Sequence, residues 1–330
     1  MSREWPGGLI RKTPVTPTGP YQDGTAPGVW TLDQMNYWLK QDLWPIAGSG
    51  ATPIGLFGGG NGPINVIDRI NIASVGNATD FGDLTVARDS LTAFSSTTRG
   101  VFAAGVISMW TNISNVIDYV TISTSGNAID FGDVSIQVAQ VGGFSNATRG
   151  CIGGGATPGA ITSIYYNTIA STGNTTFFGN LVVANRAMSG CASTTRGVLA
   201  GGYEDTTDIE YVTISTTGNA IDFGNLTVAK TFTSSGSNST RGIFAGGTFG
   251  GNVIDYITIA TTGNALDFGD LGTANNGAPG VASSSRLVAA SSGTLLQYVT
   301  ISTLGNSVNF GNTTVNRQTA AGCSNAHGGL

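Results

Sequence analysis

One short motif recurs six times along this chain of 330 residues. The motif is Gly-Asn, then three variable residues, then Phe-Gly, and its copies begin at successive intervals of 50, 47, 45, 45 and 42 residues. The copies start at Gly76, Gly126, Gly173, Gly218, Gly263 and Gly305. Six copies of a unit of this length indicate a β-propeller or a solenoid, in which each repeat must pack against its neighbours to bury a core.

A second motif fixes the internal layout of the repeat. It is Thr-Arg-Gly or a close variant, and its arginine always follows the phenylalanine of the first motif by 18 residues. These arginines are Arg99, Arg149, Arg196, Arg241 and Arg286. The variation in repeat length falls between the apolar segment after each arginine and the next segment of the type DYVTIS. One loop per repeat therefore changes its length.

Each repeat is predicted to form four short strands. The first is small and polar, the second is apolar and ends in glycine, the third is β-branched, and the fourth ends in Phe-Gly. Two glycines are expected to take positive φ in hairpin turns: that of Thr-Arg-Gly, and that of Gly-Asn. Glycine accounts for 50 of the 330 residues and charged residues for 10%, which favours strands and tight turns over helices.

Residues 51–330 resemble a kelch-type β-propeller. The segments IFAGG, VIDYVTIS and DFG occupy the places of its glycine-pair strand, its third strand and its outer aromatic strand, with Phe where kelch repeats usually have Trp. The C-terminal segment supplies only a first strand, and IGLFGGG from Ile54 supplies a second strand without a first. We therefore expect an all-β, six-bladed propeller closed by pairing of N- and C-terminal strands, which leaves fewer exposed sheet edges than the alternative, a β-solenoid.

Residues 1–50 differ in composition and contain no copy of the repeat. A proline-rich stretch predicts an extended N-terminal arm, and Thr31 can cap a short α-helix over about 31–44 that Pro45 ends. The apolar candidates for docking are Trp30, Leu32, Met35, Trp38, Leu39 and Trp44. This surface is expected to pack on the side of the propeller, to dock on another protein or to mediate self-association.

The amino-acid sequence of this arm resembles segments from a known class of proteins. GLIRKTPVTPTGPY, followed by GVWTLDQ and LWP, is similar to the N-terminal segments of virion structural proteins from tailed bacteriophages, which also carry repeats of the TGNAxDFG kind. The resemblance implies a virion protein that is made in the host cytoplasm and is exposed on the particle surface. Residues 1–50 would attach it to other virion proteins, and the C-terminal domain would face outward.

Several classes of function have little support in the sequence. A net charge of −5 without a basic run argues against nucleic-acid binding. The sequence has no apolar stretch of about 18 residues, which argues against membrane insertion. We expect no catalytic residue, no metal and no cofactor, because the single histidine, His327, is interpreted as a turn residue and no nucleophile elbow, Walker loop or zinc-protease motif is present. Cys151, Cys191 and Cys323 are interpreted as small buried hydrophobes.

Two sets of side chains are candidates for binding. The variable loops should leave one face of the disc, where recognition residues commonly lie, and their candidates are Met109, Trp110, Tyr203, Glu204, Asp205 and Phe249. Aromatic residues of this kind stack on sugars or anchor protein contacts, although tolerated drift in surface loops explains them equally well. The five repeat arginines either attract anionic groups near one end of the axis or bridge each blade to acids or carbonyls next door.

These observations together predict a non-enzymatic virion protein. Its propeller would act as a binding head for a host-surface glycan or protein, as in a tail fibre or adhesin. The alternative is a capsid decoration or tail-assembly subunit whose propeller contacts other virion proteins. A glycan-cleaving enzyme is disfavoured because such enzymes need a pair of carboxylates, whereas the prominent acids here recur in the repeat.

Overall fold

The computed structural model describes residues 52–108, 112–204, 207–291 and 293–330. The predicted arm and helix, with Trp30, Leu32, Met35, Trp38, Leu39 and Trp44, lie outside the described residues, as do Met109, Trp110 and Asp205. The unit Pro53–Leu330 is an all-β propeller of six four-stranded sheets. The prediction of a six-bladed propeller is confirmed. No helix that could span a membrane occurs within these described ranges.

The blades follow one another along the chain. Blade 1 contains β1 (Ile54–Gly58), β2 (Ile64–Asn71) and β3 (Thr79–Arg88). Blade 2 contains β4 (Thr92–Ser95), β5 (Arg99–Ala103), β8 (Val116–Thr121) and β9 (Ile129–Asp133), with a small hairpin of β6 (Val106–Ser108) and β7 (Asn112–Ile113). Blade 3 contains β10 (Gly142–Ser145), β11 (Arg149–Gly153), β12 (Ile161–Thr168) and β13 (Thr176–Asn185).

The other three blades repeat this layout. Blade 4 contains β14 (Ser189–Ala192), β15 (Arg196–Ala200), β16 (Asp208–Thr213) and β17 (Ile221–Asn225). Blade 5 contains β18 (Ser234–Ser237), β19 (Arg241–Ala245), β20 (Val253–Thr258) and β21 (Leu266–Asp270). Blade 6 contains β22 (Gly280–Ala282), β23 (Arg286–Ala290), β24 (Leu295–Thr300) and β25 (Val308–Asn312), and β26 (Ala321–Ser324) follows it.

The first strands of the blades surround the axis. In ring order β26, β4, β10, β14, β18 and β22 each contact the next. The innermost strand of blade 1 is β26, which pairs antiparallel with β1 and places Leu56 opposite Cys323. Blade 1 is thus a composite sheet, with strands from both ends of the described chain.

The Gly-Asn motif joins each blade to the one before it. The backbone N–H of Gly126 donates to the carbonyl of Phe81 in the preceding blade at 2.8 Å, and the side-chain carbonyl of Asn127 accepts the backbone N–H of Asp83 at 3.0 Å. Corresponding asparagine contacts recur at the other five interfaces, those of Asn174, Asn219, Asn264, Asn306 and Asn77. The repeat motif therefore forms hydrogen bonds between neighbouring blades, and the contact of Asn77 with Asn312 joins blade 6 to blade 1.

Apolar side chains fill the interfaces between blades. Within blade 2, Phe131 of the Phe-Gly motif is 1% exposed and meets the ring of Tyr119 edge to face at 5.7 Å, and similar Tyr–Phe pairs occur within blades 3 to 6. The buried residues form six clusters within the described ranges. Edge-to-face pairs of this geometry add to the free energy gained by burial.

The two repeat glycines have different roles. That of Gly-Asn takes positive φ in five of its six copies, between 148° and 159°, as predicted. The prediction for the glycine of Thr-Arg-Gly is wrong, because in blades 2 to 5 it is the second residue of an extended strand. A Cβ on Gly150 would lie 2.0 Å from Cδ2 of Phe94, and one on Gly197 would lie 2.1 Å from Cδ2 of Phe144. This glycine therefore admits the phenylalanine of the neighbouring blade.

Candidate functional site: the loop face and the axial channel

Six backbone residues with left-handed conformation surround one end of the axial channel. They precede the first strands and have φ between 51° and 80°. We call them the mouth ring: Ser90, Gln140, Ala187, Phe232, Gly277 and Thr319. Backbone N–H groups link neighbouring members, including Ser90 to Thr319 O at 2.8 Å, Gln140 to Ser90 O at 2.9 Å and Ala187 to Gln140 O at 2.7 Å. The mouth ring thus holds adjacent blades together at this end.

Small residues narrow the channel below the mouth ring. This waist consists of Ala93, Gly143, Gly190, Ser235, Gly280 and Gly322, which line the cavities on both sides of it. A Cβ on Gly190 would lie 2.1 Å from the carbonyl oxygen of Gly143, so the close approach of these strands requires glycine there. The waist separates a mouth cavity of about 110 Å³ from a lower chamber of about 60 Å³.

The variable loops begin at the edge of the mouth. Five of the six residues that precede a mouth-ring residue accept a hydrogen bond from the segment that follows the second strand of the next blade. The N–H of Val106 donates to Asp89 O at 2.7 Å, that of Tyr203 to Arg186 O at 2.9 Å, and that of Thr248 to Thr231 O at 3.0 Å. The loops of different length therefore all start at the mouth end of the channel, on the face of the disc that we call the loop face. The strand order predicts this placement.

Two of these loops form an exposed aromatic cluster. The rings of Tyr203 and Phe249, which are 47% and 60% exposed, meet at 6.2 Å between centroids. The guanidinium of Arg186 lies 4.7 Å from the Tyr203 ring centroid, and its Nε lies 3.2 Å from Oε1 of Glu204. The structure thus brings together three of the loop candidates, Tyr203, Glu204 and Phe249, and adds Arg186, which sequence analysis missed.

The mouth cavity is polar but uncharged. Its lining in the described part of the chain contains no Asp, Glu, Lys, Arg or His. Gln140 and Thr233 are 9% and 7% exposed, and neither Oε1 of Gln140 nor Oγ1 of Thr233 has a hydrogen-bond partner. Phe232 contributes a half-buried aromatic residue to the same lining. Sequence analysis did not find these residues, because no motif marks them.

The five repeat arginines lie between blades and do not line the channel cavities. Nη1 of Arg196 donates to Ile259 O of the next blade at 3.0 Å, and its guanidinium lies 4.5 Å from the centroid of Tyr211. The other four make the same pair of contacts, each with a carbonyl of the adjacent blade and a tyrosine of its own blade: Arg99, Arg149, Arg241 and Arg286. Each hydrogen bond uses Nη1, which leaves the other N–H donors of the guanidinium without a protein contact of this kind.

His327 lies in the lower chamber at the far end of the channel. Its Nε2 is 3.2 Å from Ser95 O, and its Nδ1 accepts the N–H of Gly329 at 3.1 Å. Burial lowers the pKa of His327 to about 4. The adjacent Gly328 donates from its N–H to Ser237 O at 2.9 Å. His327 lies in the run of turns and bends that follows β26, and this segment contacts several first strands at once.

Buried charges join the connections between blades to the third strands. Three cation–acid pairs have fully buried side chains: Arg88 with Asp118, Lys230 with Asp255, and Arg317 with Asp68. In blade 4 the acid is Glu210, and Asn185 occupies the position that Lys230 has in the next repeat. Burial raises the pKa of Glu210 to about 7, and its Oε1 has no hydrogen-bond partner.

The three cysteine thiols lie in the protein interior. Cys151, Cys191 and Cys323 are buried and unpaired, and burial raises the pKa of each thiol to about 12, in line with their interpretation as small hydrophobes. No three His, Cys, Asp or Glu side chains in the described ranges lie close enough together to hold a metal ion.

No protein-family model matches this chain, and no curated protein is significantly similar to it.

Proposed function

We propose that this protein is a recognition head that binds a glycan or protein on a host cell through the loop face of its propeller. The observation that carries the proposal is the position of the variable loops. They start from backbone hydrogen bonds at the edge of the mouth ring, so loops of different length and composition are presented by an otherwise repetitive scaffold. Recognition residues typically lie on loops held in this way.

The aromatic cluster supports the same role. Tyr203 and Phe249 expose about half of their side chains while contacting each other across two blades, and Arg186 covers one of the rings. Large aromatic groups that are held in place lose little entropy on binding and provide much contact area. Such a cluster suits the face of a sugar ring or an apolar protein side chain.

We further propose that the protein belongs to a bacteriophage virion, attached by residues 1–50 to other virion proteins. The support is the likeness of the arm to the N-terminal segments of tailed-phage structural proteins. Immunogold electron microscopy of particles tests this location. Label on the tail supports a role in host attachment, whereas label over the capsid lattice supports a decoration subunit instead.

Binding by the loop face is tested by comparing variants on the two faces of the disc. The full-length protein is added to arrayed bacterial lipopolysaccharides, capsular polysaccharides and intact bacteria. The double variant Tyr203→Ala/Phe249→Ala removes the aromatic cluster. The double variant Val75→Ala/Leu304→Ala is the matched control, because these residues are equally exposed but lie in hairpins on the other face.

We expect the cluster variant to bind at least tenfold more weakly than the wild type and the control variant to bind normally. Central aromatic anchors often contribute about 2 kcal/mol or more, which exceeds the roughly 1.4 kcal/mol that a tenfold change in affinity requires. Undiminished binding by the cluster variant, or equal loss in both variants, contradicts the proposed role of this face.

A further inference from the structure

One pair of residues on the third and fourth strands recurs in all six blades, and blade 3 departs from the pattern. In blade 2, Asp118 lies opposite Asp130 in the pairing of β8 with β9. The corresponding pair consists of two acids in four of the blades and of two amides in blade 6. Blade 3 has Tyr165 opposite Phe177 instead. Two aromatic side chains thus occupy a position that is polar in every other blade.

Packing explains Tyr165 but not Phe177. In blade 2, Asp118 forms a buried ion pair with Arg88. The residue of the next repeat that corresponds to Arg88 is Val138, and the half-buried Tyr165 packs against the core cluster that contains Val138. Phe177, in contrast, is 53% exposed, as the acids and the amide at its position in the other blades are exposed. An exposed ring gains little free energy from burial, so the fold alone does not account for Phe177.

Phe177 belongs to a small apolar patch on the outer wall of the disc, where blade 2 meets blade 3. We call it the wall patch, and it consists of Ile136, Ile161, Tyr165 and Phe177. The rings of Tyr165 and Phe177 meet edge to face at 6.0 Å between centroids, and Ile136 and Ile161 are half-buried on the same core cluster as Tyr165. Because β13 is the outermost strand of its blade, this contact holds an aromatic ring in place at the surface.

The surroundings of the wall patch disfavour an anionic ligand. No charged residue occurs between Arg149 and Arg186, a segment that forms most of β11, β12 and β13. Blade 2 borders this segment through Asp133, whose N–H donates to Oδ1 of Asn174 at 2.9 Å. An anion at the wall patch would therefore meet no cation of this segment, and the bordering strand is acidic. Complementarity of charge favours a neutral ligand.

The size of the wall patch favours a sugar over a protein surface. A complete Phe side chain offers on the order of 200 Å², so one half-exposed Phe with half-buried neighbours falls far short of the roughly 800 Å² that each partner of a stable protein interface buries. One face of a pyranose ring is apolar and similar in size to an aromatic ring. Ser135 and Thr176 are exposed, and their hydroxyl groups can bond to those of a sugar.

We propose that the wall patch is a second binding site, separate from the loop face, for one pyranose residue of a neutral polysaccharide. The apolar face of the sugar lies on Phe177, and its hydroxyl groups meet those of Ser135 and Thr176. This site goes beyond the proposed function, because it lies on the outer wall of the disc and uses no residue of the loop face. A polysaccharide that reached both sites would be held more tightly than by either site alone.

The test uses the full-length protein and tetrasaccharides of glucose, galactose, mannose and N-acetylglucosamine, with tetragalacturonate as the anionic comparison. Binding is detected by saturation-transfer NMR and quantified by calorimetric titration. Phe177→Asn removes the ring and introduces the residue that blade 6 has at this position, Asn309. Phe177→Trp keeps an aromatic ring there. Thermal unfolding is measured for every variant.

Val182→Thr is the matched control. Val182 lies on the same strand and is 55% exposed, but its N–H donates to Oε2 of Glu210 in blade 4, so it faces away from the wall patch. Threonine occupies the corresponding position in three other blades, which makes this change as compatible with the repeat as Phe177→Asn is. Both variants replace an exposed apolar side chain with a polar one.

We expect at least one neutral tetrasaccharide to bind and tetragalacturonate not to bind. Phe177→Asn should weaken binding about tenfold or more, as the loss of an aromatic anchor does, while Phe177→Trp and Val182→Thr should bind like the wild type. The melting temperature of Phe177→Asn should equal or exceed that of the wild type, because blade 6 accommodates the same residue. A purely structural role for Phe177 would instead lower the melting temperature and leave binding unchanged.

The inference is overturned if no neutral tetrasaccharide binds, if tetragalacturonate binds equally well, or if Phe177→Asn binds normally. It is also overturned if sedimentation velocity shows a dimer that Phe177→Asn abolishes while glycan binding persists, because the wall patch would then be a contact between two copies of the chain.

The two proposed binding surfaces can fail separately. If Tyr203→Ala/Phe249→Ala loses binding to arrayed polysaccharides while Phe177→Asn binds tetrasaccharides normally, the loop face is supported and the wall patch is not. If Phe177→Asn loses tetrasaccharide binding while Tyr203→Ala/Phe249→Ala binds its targets normally, the wall patch is supported and the proposed role of the loop face is contradicted.

Discussion

Nζ of Lys230 lies 3.5 Å from Oδ2 of Asp255, and neither side chain is exposed. The ammonium group also donates to the carbonyl of Val253 at 2.6 Å, and Asp255 accepts the N–H of Thr227 at 3.2 Å. Burial lowers the pKa of Lys230 to about 8, although Asp255 opposes this effect. The ion pair of Lys230 and Asp255 therefore connects the segment that enters blade 5 to the third strand of that blade.

Lys230→Met should destabilise the protein, because Asp255 would remain buried without its cation. Removing one partner of a buried pair typically costs about 3 to 5 kcal/mol, and urea denaturation at pH 7 measures this loss. The double variant Lys230→Met/Asp255→Leu is the control, since removal of both charges should recover most of the stability. A double variant as unstable as the single variant would show that shape, not charge, determines the effect.

Glu210 should make the stability of the protein depend on pH. Its pKa is raised from 4.5 to about 7 by burial, so the folded state binds more protons than the unfolded state between these values. Stability therefore falls as the pH rises from about 4.5 to 7, by about 3 kcal/mol for this group. Glu210→Gln should match the wild type near pH 4.5 and exceed it at pH 8, as measured by urea denaturation. Parallel pH profiles for the two proteins would contradict this prediction.

The repeat arginines should contribute to stability through contacts between blades. Arg196→Met removes a hydrogen bond to Ile259 O and a stacking contact with Tyr211, and we expect a loss of about 2 kcal/mol in the free energy of unfolding. Arg186→Met is the control, because its ion pair with Glu204 is partly exposed and should contribute less than about 1 kcal/mol. An unchanged stability for Arg196→Met, together with lost binding of inorganic phosphate, would identify the arginines as an anion site instead.

Acid should loosen the segment around His327. The pKa of this histidine is lowered from 6.5 to about 4 by burial, so the unfolded state binds more protons between these values and stability is lost as the pH falls from 6.5 to 4. Protonation at Nδ1 would also place two donors against each other, since the N–H of Gly329 already donates to this atom.

Hydrogen exchange measures this effect at the amides of Gly328 and Gly329. Their protection should fall by a factor of about 30 between pH 7 and pH 5 after correction for intrinsic rates, which corresponds to about 2 kcal/mol. The variant His327→Gln should show no such change. Equal protection of the wild type at both values of pH would refute the prediction.

The blade number could be predicted from the sequence because constant spacings within each repeat reflect hairpins of fixed geometry. The partners of the Gly-Asn motif could not, since Asn127 contacts Asp83 of another blade and spacing within a repeat carries no information about the neighbouring repeat. The buried pair of Lys230 and Asp255 was missed because the cation is not part of the repeated pattern, since Asn185 occupies the corresponding position before blade 4.

The exposed aromatic cluster and the mouth cavity differ in how far their residues could be predicted from the sequence. Tyr203 and Phe249 stand out because they are aromatic residues in loops of variable length. Gln140 and Thr233 do not stand out, because no motif marks a polar side chain that the fold buries without a hydrogen-bond partner. The left-handed conformation at the mouth is equally hidden, since only Gly277 among its six members belongs to the residue type that signals positive φ.

The account depends most on a closed ring, because only closure places all variable loops around one mouth. The most direct measurement is disulfide mapping of Leu56→Cys by mass spectrometry after the urea-unfolded protein has been refolded under oxidising conditions, because the folded protein buries Cys323; Leu56→Cys/Cys323→Ala is the control. Leu56 lies opposite Cys323 in the pairing of β1 with β26, and cross-strand neighbours are close enough for a disulfide. We predict a disulfide between the introduced thiol and Cys323. Two free thiols at these positions in the folded, oxidised protein would contradict ring closure.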